Sequence, residues 1–150
     1  KELSVFDDQT KTSYTPHVVE CSVGVDRLLL TLLFDAYHEE TIGKDQRTVL
    51  RLHPQLAPVT AAILPLTKKL SENAKKIFVD LKRNFNVQFD ESGSIGKRYR
   101  RQDEIGTPVC FTFDFDSLED NCVTARNRDT LEQERVSIDQ LDEYLDKLLK

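Results

Sequence analysis

Apolar and polar positions recur with different periods along the chain, and each change of period marks an element. Residues 1 to 16 are mostly polar and carry the turn-like stretch VFDDQTKTS, which predicts a hairpin arm feeding a short strand at Val18 and Val19. Gly24 opens a segment from Val25 to Tyr37 that is apolar almost all round, the pattern of a helix buried on most sides. Residues 39 to 48 (EETIGKDQRT) are charged and contain Gly43, so they read as a linker, and residues 53 to 58 (HPQLAP) read as a proline-punctuated loop. The boundary between two domains, 1 to 44 and 45 to 150, is placed there.

Beyond the loop, strand and helix periods alternate. Thr60 to Leu66 predicts a short apolar strand, and Leu66, Leu70, Ala74, Ile77, Phe78, Leu81 and Phe85 follow helical spacing along one apolar stripe. Val87 and Phe89 predict a second strand ending at Ser92-Gly93-Ser94, after which Ser94 is placed to cap a helix that stops at Gly106. Val109, Phe111, Phe113 and Phe115 alternate with Cys110, Thr112, Asp114 and Asp116, a strand whose aromatic face is expected to pack under a helix. Cys122 to Asp129 and Arg135 to Ile138 predict further strands, and Leu141, Tyr144, Leu145, Leu148 and Leu149 a last amphipathic helix. Alternation of this kind predicts an α/β layered fold, its early strands parallel through helical crossovers and its last strands antiparallel.

Composition narrows the function. A length of 150 residues and 39% hydrophobic content fit one ordinary core. No apolar run approaches the roughly 20 residues that span a bilayer. Cys21, Cys110 and Cys122 are odd in number and in no metal-ligand spacing, and His17, His38 and His53 are scattered, so the reading is reduced thiols, a cytoplasmic setting and no metal. The first residue is Lys1, with no basic leader after it, and the expectation is a chain that starts inside a longer protein. A net charge of −5 argues against sequence-independent nucleic-acid affinity, which needs many cations on phosphates.

Charge is nevertheless concentrated locally. Lys97, Arg98, Arg100 and Arg101 flank Tyr99, and such a run is either a solvated helix face or a binding surface. Gly93, Gly96 and Lys97 do not make a phosphate loop, because Glu91 stands where its first glycine belongs and Arg98 replaces the final hydroxyl residue. Asp114 and Asp116 are turn formers or ion-pair partners before they are metal ligands. Arg27 lies at the start of the apolar helix, where unpaired N–H groups and a guanidinium suit a phosphate, and Glu20 and Ser22 sit two residues apart on one side of an extended segment, a pairing that suits an ammonium group.

The stretch VVECSVGVDRLLLTLL resembles the third signature motif of class II aminoacyl-tRNA synthetases in the glycyl family. RTVLRLHPQLAP, AAILPLTKK, SGSIGKRYRRQDEIGTPVCFTFDF and TARNRDT, between residues 47 and 150, resemble the anticodon-binding domain of the same family. The resemblance implies a three-layer domain with a five-stranded mixed sheet flanked by helices, preceded by a remnant of the class II catalytic domain. It implies ATP contact by Arg27 and Gly24, with Arg27 catalytic, and glycine held by Glu20 and Ser22. Cys21 departs from the family's frequent proline and removes a backbone restraint on Glu20. The resemblance further implies glycine tRNA as partner, with Arg98, Tyr99, Arg100, Arg101, Arg126, Arg128 and Asp129 as anticodon contacts. It also implies glycine and ATP, with Mg²⁺, as the requirements of a full-length, homodimeric ligase. A remnant without the upstream motifs is expected to be inactive alone. A non-catalytic accessory protein of synthetase-like fold is the alternative, against which Glu20, Ser22 and Arg27 stand.

Overall fold

The computed structural model describes residues 3–43 and 45–150. Contacts divide the chain into one unit ending at Leu30 and another running from Thr31 to Lys150.

In the first unit, β1 (Val5–Asp7) and β2 (Thr12–Tyr14) form the expected hairpin, paired Val5 to Tyr14. Asp7 organises its turn by accepting from the Gln9 amide at 2.9 Å and the Thr10 hydroxyl at 2.8 Å. The strand expected at Val18 and Val19 is absent: residues 15–24 are irregular and nearly all exposed, because two β-branched residues without a pairing edge do not make a ladder. Helix α1 (Val25–Ala36) starts with the Leu28 amide donating to the Gly24 carbonyl at 3.0 Å and crosses from the first unit into the second. Its expected burial is overturned. Leu28, Leu29, Leu30, Leu33 and Phe34 are exposed, and Ala36 is the helix's buried residue. Helicity needs only local bonds, whereas burial needs a complementary surface that the described residues do not supply.

Residues 39 to 48, expected to be a linker, instead belong to a hairpin of β3 (Tyr37–Ile42) and β4 (Asp45–Leu50), in register from Tyr37–Leu50 to Ile42–Asp45. The period-two signal is present but is carried by an arginine: Arg47 and Val49 are buried on one side of β4. Composition reads a buried arginine as polar linker.

The main sheet joins β5 (Ala61–Pro65), β6 (Val87–Phe89), β7 (Val109–Phe113), β8 (Cys122–Asn127) and β9 (Gln133–Ser137) in the order β6-β5-β7-β8-β9. β5 is parallel to β6 and β7, through crossovers carried by α2 (Ser71–Leu81) and α3 (Ile95–Ile105), while β7-β8 and β8-β9 are antiparallel. This is the expected five-stranded mixed sheet. A short α4 (Ser117–Asp120) links β7 to β8, and α5 (Leu141–Leu148) ends the chain.

Alternation gives the sheet two unlike faces. Ala61, Ile63, Val109, Phe111, Phe113, Val123, Ala125 and Val136 form the large core with Ala74, Ile77 and Leu81 of α2 and Leu141 and Leu145 of α5. Phe111 is fully buried and meets the Tyr144 ring edge-on at 5.7 Å. The other face carries only Ala62, Leu64 and Cys110 as its buried apolar cluster, against Ile95 and Tyr99 of α3. Phe115 does not pack under a helix as expected: β7 ends at Phe113, and Phe115 is half exposed where the chain turns into α4.

Helix α3 stops where glycine was expected to stop it. Gly106 is left-handed at φ 82, with its amide donating to the Asp103 carbonyl and the Thr107 amide to the Gln102 carbonyl at 3.0 Å, the paired bonds of a Schellman end. Ser94 holds the N-cap position in extended backbone without a side-chain capping bond. A methyl at Gly106 would meet the Leu50 carbonyl oxygen at 3.0 Å and Leu52 Cδ1 at 3.2 Å, whereas one at Gly96 would meet nothing within 4 Å. Gly106→Ala should therefore lower stability by about 1–3 kcal/mol. Gly96→Ala, inside the same helix, should raise it by up to about 1 kcal/mol. Urea unfolding midpoints of the two variants should move in opposite directions.

Candidate nucleic-acid interface

Glu20 and Ser22 are exposed on the irregular chain before α1, and Gly24 supplies the carbonyl that begins that helix. Arg27 lies in the first turn of α1, next to Asp26. Helix starts of this kind favour anions.

The basic cluster on α3 is split by the helical period. Arg98 is 3% exposed and turns inward, donating to the backbone carbonyls of Pro65, Asp90 and Leu66. Arg101 is exposed and forks onto Asp90 at 2.6 and 3.0 Å, with a further bond to the Ser92 carbonyl at 2.7 Å. Lys97 is exposed and Arg100 half-buried. Tyr99 is half-buried, its hydroxyl 2.6 Å from the Thr112 hydroxyl and its ring under the Arg126 guanidinium at 4.5 Å, and burial pushes its pKa above the ordinary value. The cation over its face makes Tyr99 a fixed ring.

Arg126 and Arg128 also turn inward. Arg126, on β8, makes a two-pronged bond to Asp103 of α3 at 3.0 and 3.1 Å. The second oxygen of Asp103 also accepts from Arg47 Nε at 2.8 Å, and Arg47 donates onward to Glu40 at 2.9 Å and to the Arg128 carbonyl. Asp103 is 0% and Arg47 1% exposed. Arg128, 3% exposed, donates to the Gly106 and Leu52 carbonyls, each at 2.8 Å, and to its exposed neighbour Asp129. Hairpin, helix and sheet are thereby pinned around one carboxylate. Neither Arg47 nor Asp103 stands out in the sequence, since their partners are 56 residues apart.

Away from this knot the polar face of the sheet is buried at β5 and β7, where Leu64 and Thr112 lie under α3, and becomes exposed toward Arg135 on β9. Leu64, Thr112, Thr124 and Arg135 are cross-strand neighbours in one row over β5, β7, β8 and β9. Arg135 donates to Asp114 at 2.7 Å, to the Thr124 hydroxyl at 3.0 Å and to both Asp120 oxygens at 2.7 and 2.8 Å. Asp114 also takes the Ser117 amide and hydroxyl at 2.9 and 2.8 Å and the Thr124 hydroxyl at 3.0 Å. Burial raises the Asp114 pKa, but the bonds from Ser117 and Thr124 and the Arg135 charge outweigh it and hold the carboxyl below its ordinary value. The Arg135 bond does the same for Asp120. On the same face, burial pushes the Cys110 thiol up to about 12, so it stays protonated. The surface thus offers fixed donors and acceptors around Tyr99 and Arg135, with Lys97, Arg100 and Arg101 on the flanking helix.

A family model described as anticodon binding domain matches residues 60–148. The chain is 56% identical over 151 aligned residues to a glycine–tRNA ligase of Agathobacter rectalis, covering 98% of the chain and 32% of that protein. It is 57% identical over 150 residues to a glycine–tRNA ligase of Caldanaerobacter subterraneus subsp. tengcongensis, covering 100% of the chain and 32% of that protein. It spans about a third of the length of these curated relatives. Among solved structures, the RNA binding domain of threonyl-tRNA synthetase from Cryptosporidium parvum Iowa II superposes with a TM-score of 0.61 at 30% identity, over 65% of this chain and 25% of that one.

Two measurements test the electrostatics. Asp103→Ala strands two buried guanidinium groups and should cost about 3–5 kcal/mol. Arg101→Ala removes an exposed pair and should cost about 0–1 kcal/mol, both read by denaturant unfolding. The Asp114 carboxyl has a folded pKa below its unfolded value, so its contribution is present above about pH 4 and is lost as pH falls through the folded pKa. Below about pH 4, wild-type stability should therefore fall more steeply than that of Asp114→Asn.

Proposed function

The chain belongs to the anticodon binding domain family through residues 60–148, and from that membership we propose that it is the tRNA-anticodon-binding region of a glycine–tRNA ligase. The observation that carries the reading is the extent of the match: alignments at 56–57% identity overall take in essentially the whole chain, including residues before the family match begins at residue 60.

On this reading residues 1–44 are the end of a catalytic domain and residues 45–150 bind RNA. The longer enzyme joins glycine to its tRNA with ATP, supported by Mg²⁺, as a homodimer in the cytoplasm. Among the described residues no helix is long and apolar enough to cross a membrane. Arg27, at a helix start, would contact ATP phosphates beside the Gly24 backbone, and Glu20 with Ser22 would hold the glycine ammonium. Activation is alignment plus neutralisation of developing phosphate charge, which one arginine outside a complete pocket does not achieve. The chain by itself is therefore proposed to be inactive.

RNA recognition is proposed to use the open polar face and its flank. Tyr99 offers a ring fixed by Thr112 and Arg126, and Lys97, Arg100 and Arg101 offer charge for the backbone. Arg98, Arg126 and Arg128 support that surface from beneath, and Asp129 lies exposed at its far end. With a net charge of −5, few phosphate contacts are available, so affinity should depend only modestly on salt and discrimination should fall on the bases. Titrating the chain with glycine tRNA and with the same tRNA carrying a swapped anticodon, over a salt series, tests this. Tighter binding of the unswapped tRNA at every salt concentration is expected, and equal affinity for the two would overturn the reading.

A further inference from the structure

The helix on the far side of the sheet from α3 carries a charge opposite to that of the chain. Six of the 21 basic residues lie between residues 68 and 83, against two of the 26 acidic ones. Lys68, Lys69, Lys75, Lys76, Lys82 and Arg83 are all exposed, because the helical period turns Ala74, Ile77 and Leu81 of α2 into the large core and the cations away from it. Two are held over aromatic rings, Lys75 over Phe89 and Lys82 over Phe78, each at 5.4 Å. Arg83 meets Asp80 at 3.6 Å and Lys75 meets Glu91 at 4.0 Å, whereas Lys68, Lys69, Lys76 and Lys82 stand in no ion pair among the described residues.

The stripe has an apolar centre. Lys75, Lys76, Lys82 and Arg83 are the four residues three and four positions from Val79, so they surround it on the helix surface, and Val79 is 54% exposed. Beside it lies a cleft of about 300 Å³ lined by Lys76 and Ile77 of α2, Leu118 of α4, Phe113 and Ile138. Leu118 is 56% exposed. A second cleft of about 340 Å³ shares Ile77, Asp80 and Ile138 with the first and carries Asp139 and Asp142.

Cations around exposed apolar side chains, next to a groove, fit an amphipathic helix better than a phosphate backbone. A nucleic acid gains from the cations alone, leaves Val79 and Leu118 without apolar partners, and meets Asp80, Asp139 and Asp142 where the groove continues. A helix laid in a groove instead presents one apolar row at positions i, i+3, i+4 and i+7, with its charges on the flanks. The 11 residues of α2 run for about 16 Å, the length of about three turns of such a partner.

We propose that α2 and its cleft with α4 are a docking surface for an acidic amphipathic helix of a partner protein, whose apolar row covers Val79 and Leu118 and whose carboxylates meet the surrounding lysines. The surface lies on the opposite side of the sheet from Tyr99, so the inference goes beyond the RNA reading and does not depend on it.

The test uses the full chain and a fluorescein-labelled helical peptide of about 15 residues, with leucines at i, i+3, i+4 and i+7 and glutamates on both flanks. One control peptide has lysine for every glutamate and another alanine for every leucine. By fluorescence anisotropy the acidic peptide should bind at least about tenfold more tightly than either control, and its affinity should fall as salt rises. Lys76→Glu, Val79→Glu and Leu118→Glu should each weaken it by about tenfold. Their melting curves and their binding of glycine tRNA should not change, since all three side chains are exposed. Lys147→Glu, at an exposed lysine of α5, should leave peptide binding as it is. No binding of the acidic peptide, equal binding of either control, or an equal loss in Lys147→Glu overturns the proposal. So does a single-stranded RNA that binds more tightly than the peptide and is released by Lys76→Glu, which would make this a nucleic-acid surface. A dimer of the chain that Val79→Glu dissociates would make it a contact between copies and overturn the proposal as well.

Discussion

One carboxylate sets the geometry of the packing between the β3-β4 hairpin, α3 and the main sheet. Asp103 is fully buried and shared by Arg47 and Arg126, which come from the β3-β4 hairpin ahead of the main sheet and from β8 within it. Taking these charges out of water is costly, and an apolar cluster of equal volume would often be as stable. What the apolar alternative lacks is direction. Each guanidinium N–H needs an acceptor in one place, so Glu40, Asp103 and the Arg128 carbonyl fix Arg47, and through it the β3-β4 hairpin, against α3 and the end of β8. The same knot sets Arg126 over the Tyr99 ring and so determines which way that ring faces.

The knot also determines the surface charge. Arg47, Arg98, Arg126 and Arg128 are all buried, so four of the 21 basic residues are removed from contact with solvent in a chain that is already acidic. The other cations are outnumbered by 26 acidic residues, so the chain as a whole does not attract a polyanion at long range. Recognition by such a surface depends on short-range groups of fixed orientation, and the open half of the polar sheet face holds them in one cross-strand row. The division of labour follows from alternation: one sheet face is covered by α2 and α5 over an aromatic and aliphatic core, and the other is covered by α3 over only three buried apolar residues.

The sheet, its helices and the Gly106 stop were legible because each rests on local period or backbone preference. Val109, Phe111 and Phe113 announce a strand, and the stripe from Leu70 to Leu81 a helix, without reference to the rest of the chain. What sequence did not carry was the side toward which cations turn. A run of Lys97, Arg98, Arg100 and Arg101 looks like one basic patch, yet a turn of 3.6 residues sends Arg98 inward with Gln102 and leaves Lys97 and Arg101 outside. The β3-β4 hairpin was illegible for a related reason, since its buried residues are a valine and an arginine whose partner lies on a distant helix. The Asp120–Arg135 ion pair was illegible because neither residue belongs to a cluster in sequence; they meet because the pairing of β8 with β9 brings Arg135 back toward the end of α4.

Burial and readout are linked through that register. A β-sheet brings residues from different strands into rows about 5 Å apart, and a row is straight only if every strand keeps its phase. Here the phase is secured on the apolar face, where a slip by one residue would turn Phe111, Val123 or Val136 toward water and Thr112, Thr124 or Arg135 into the core. The bonds of Arg135 to Asp114, Thr124 and Asp120 fix its side chain, but they do not have to set the place of the row in the sheet. Its position follows from hydrophobic burial on the opposite side, which leaves its side chains free to be chosen for their donors and acceptors.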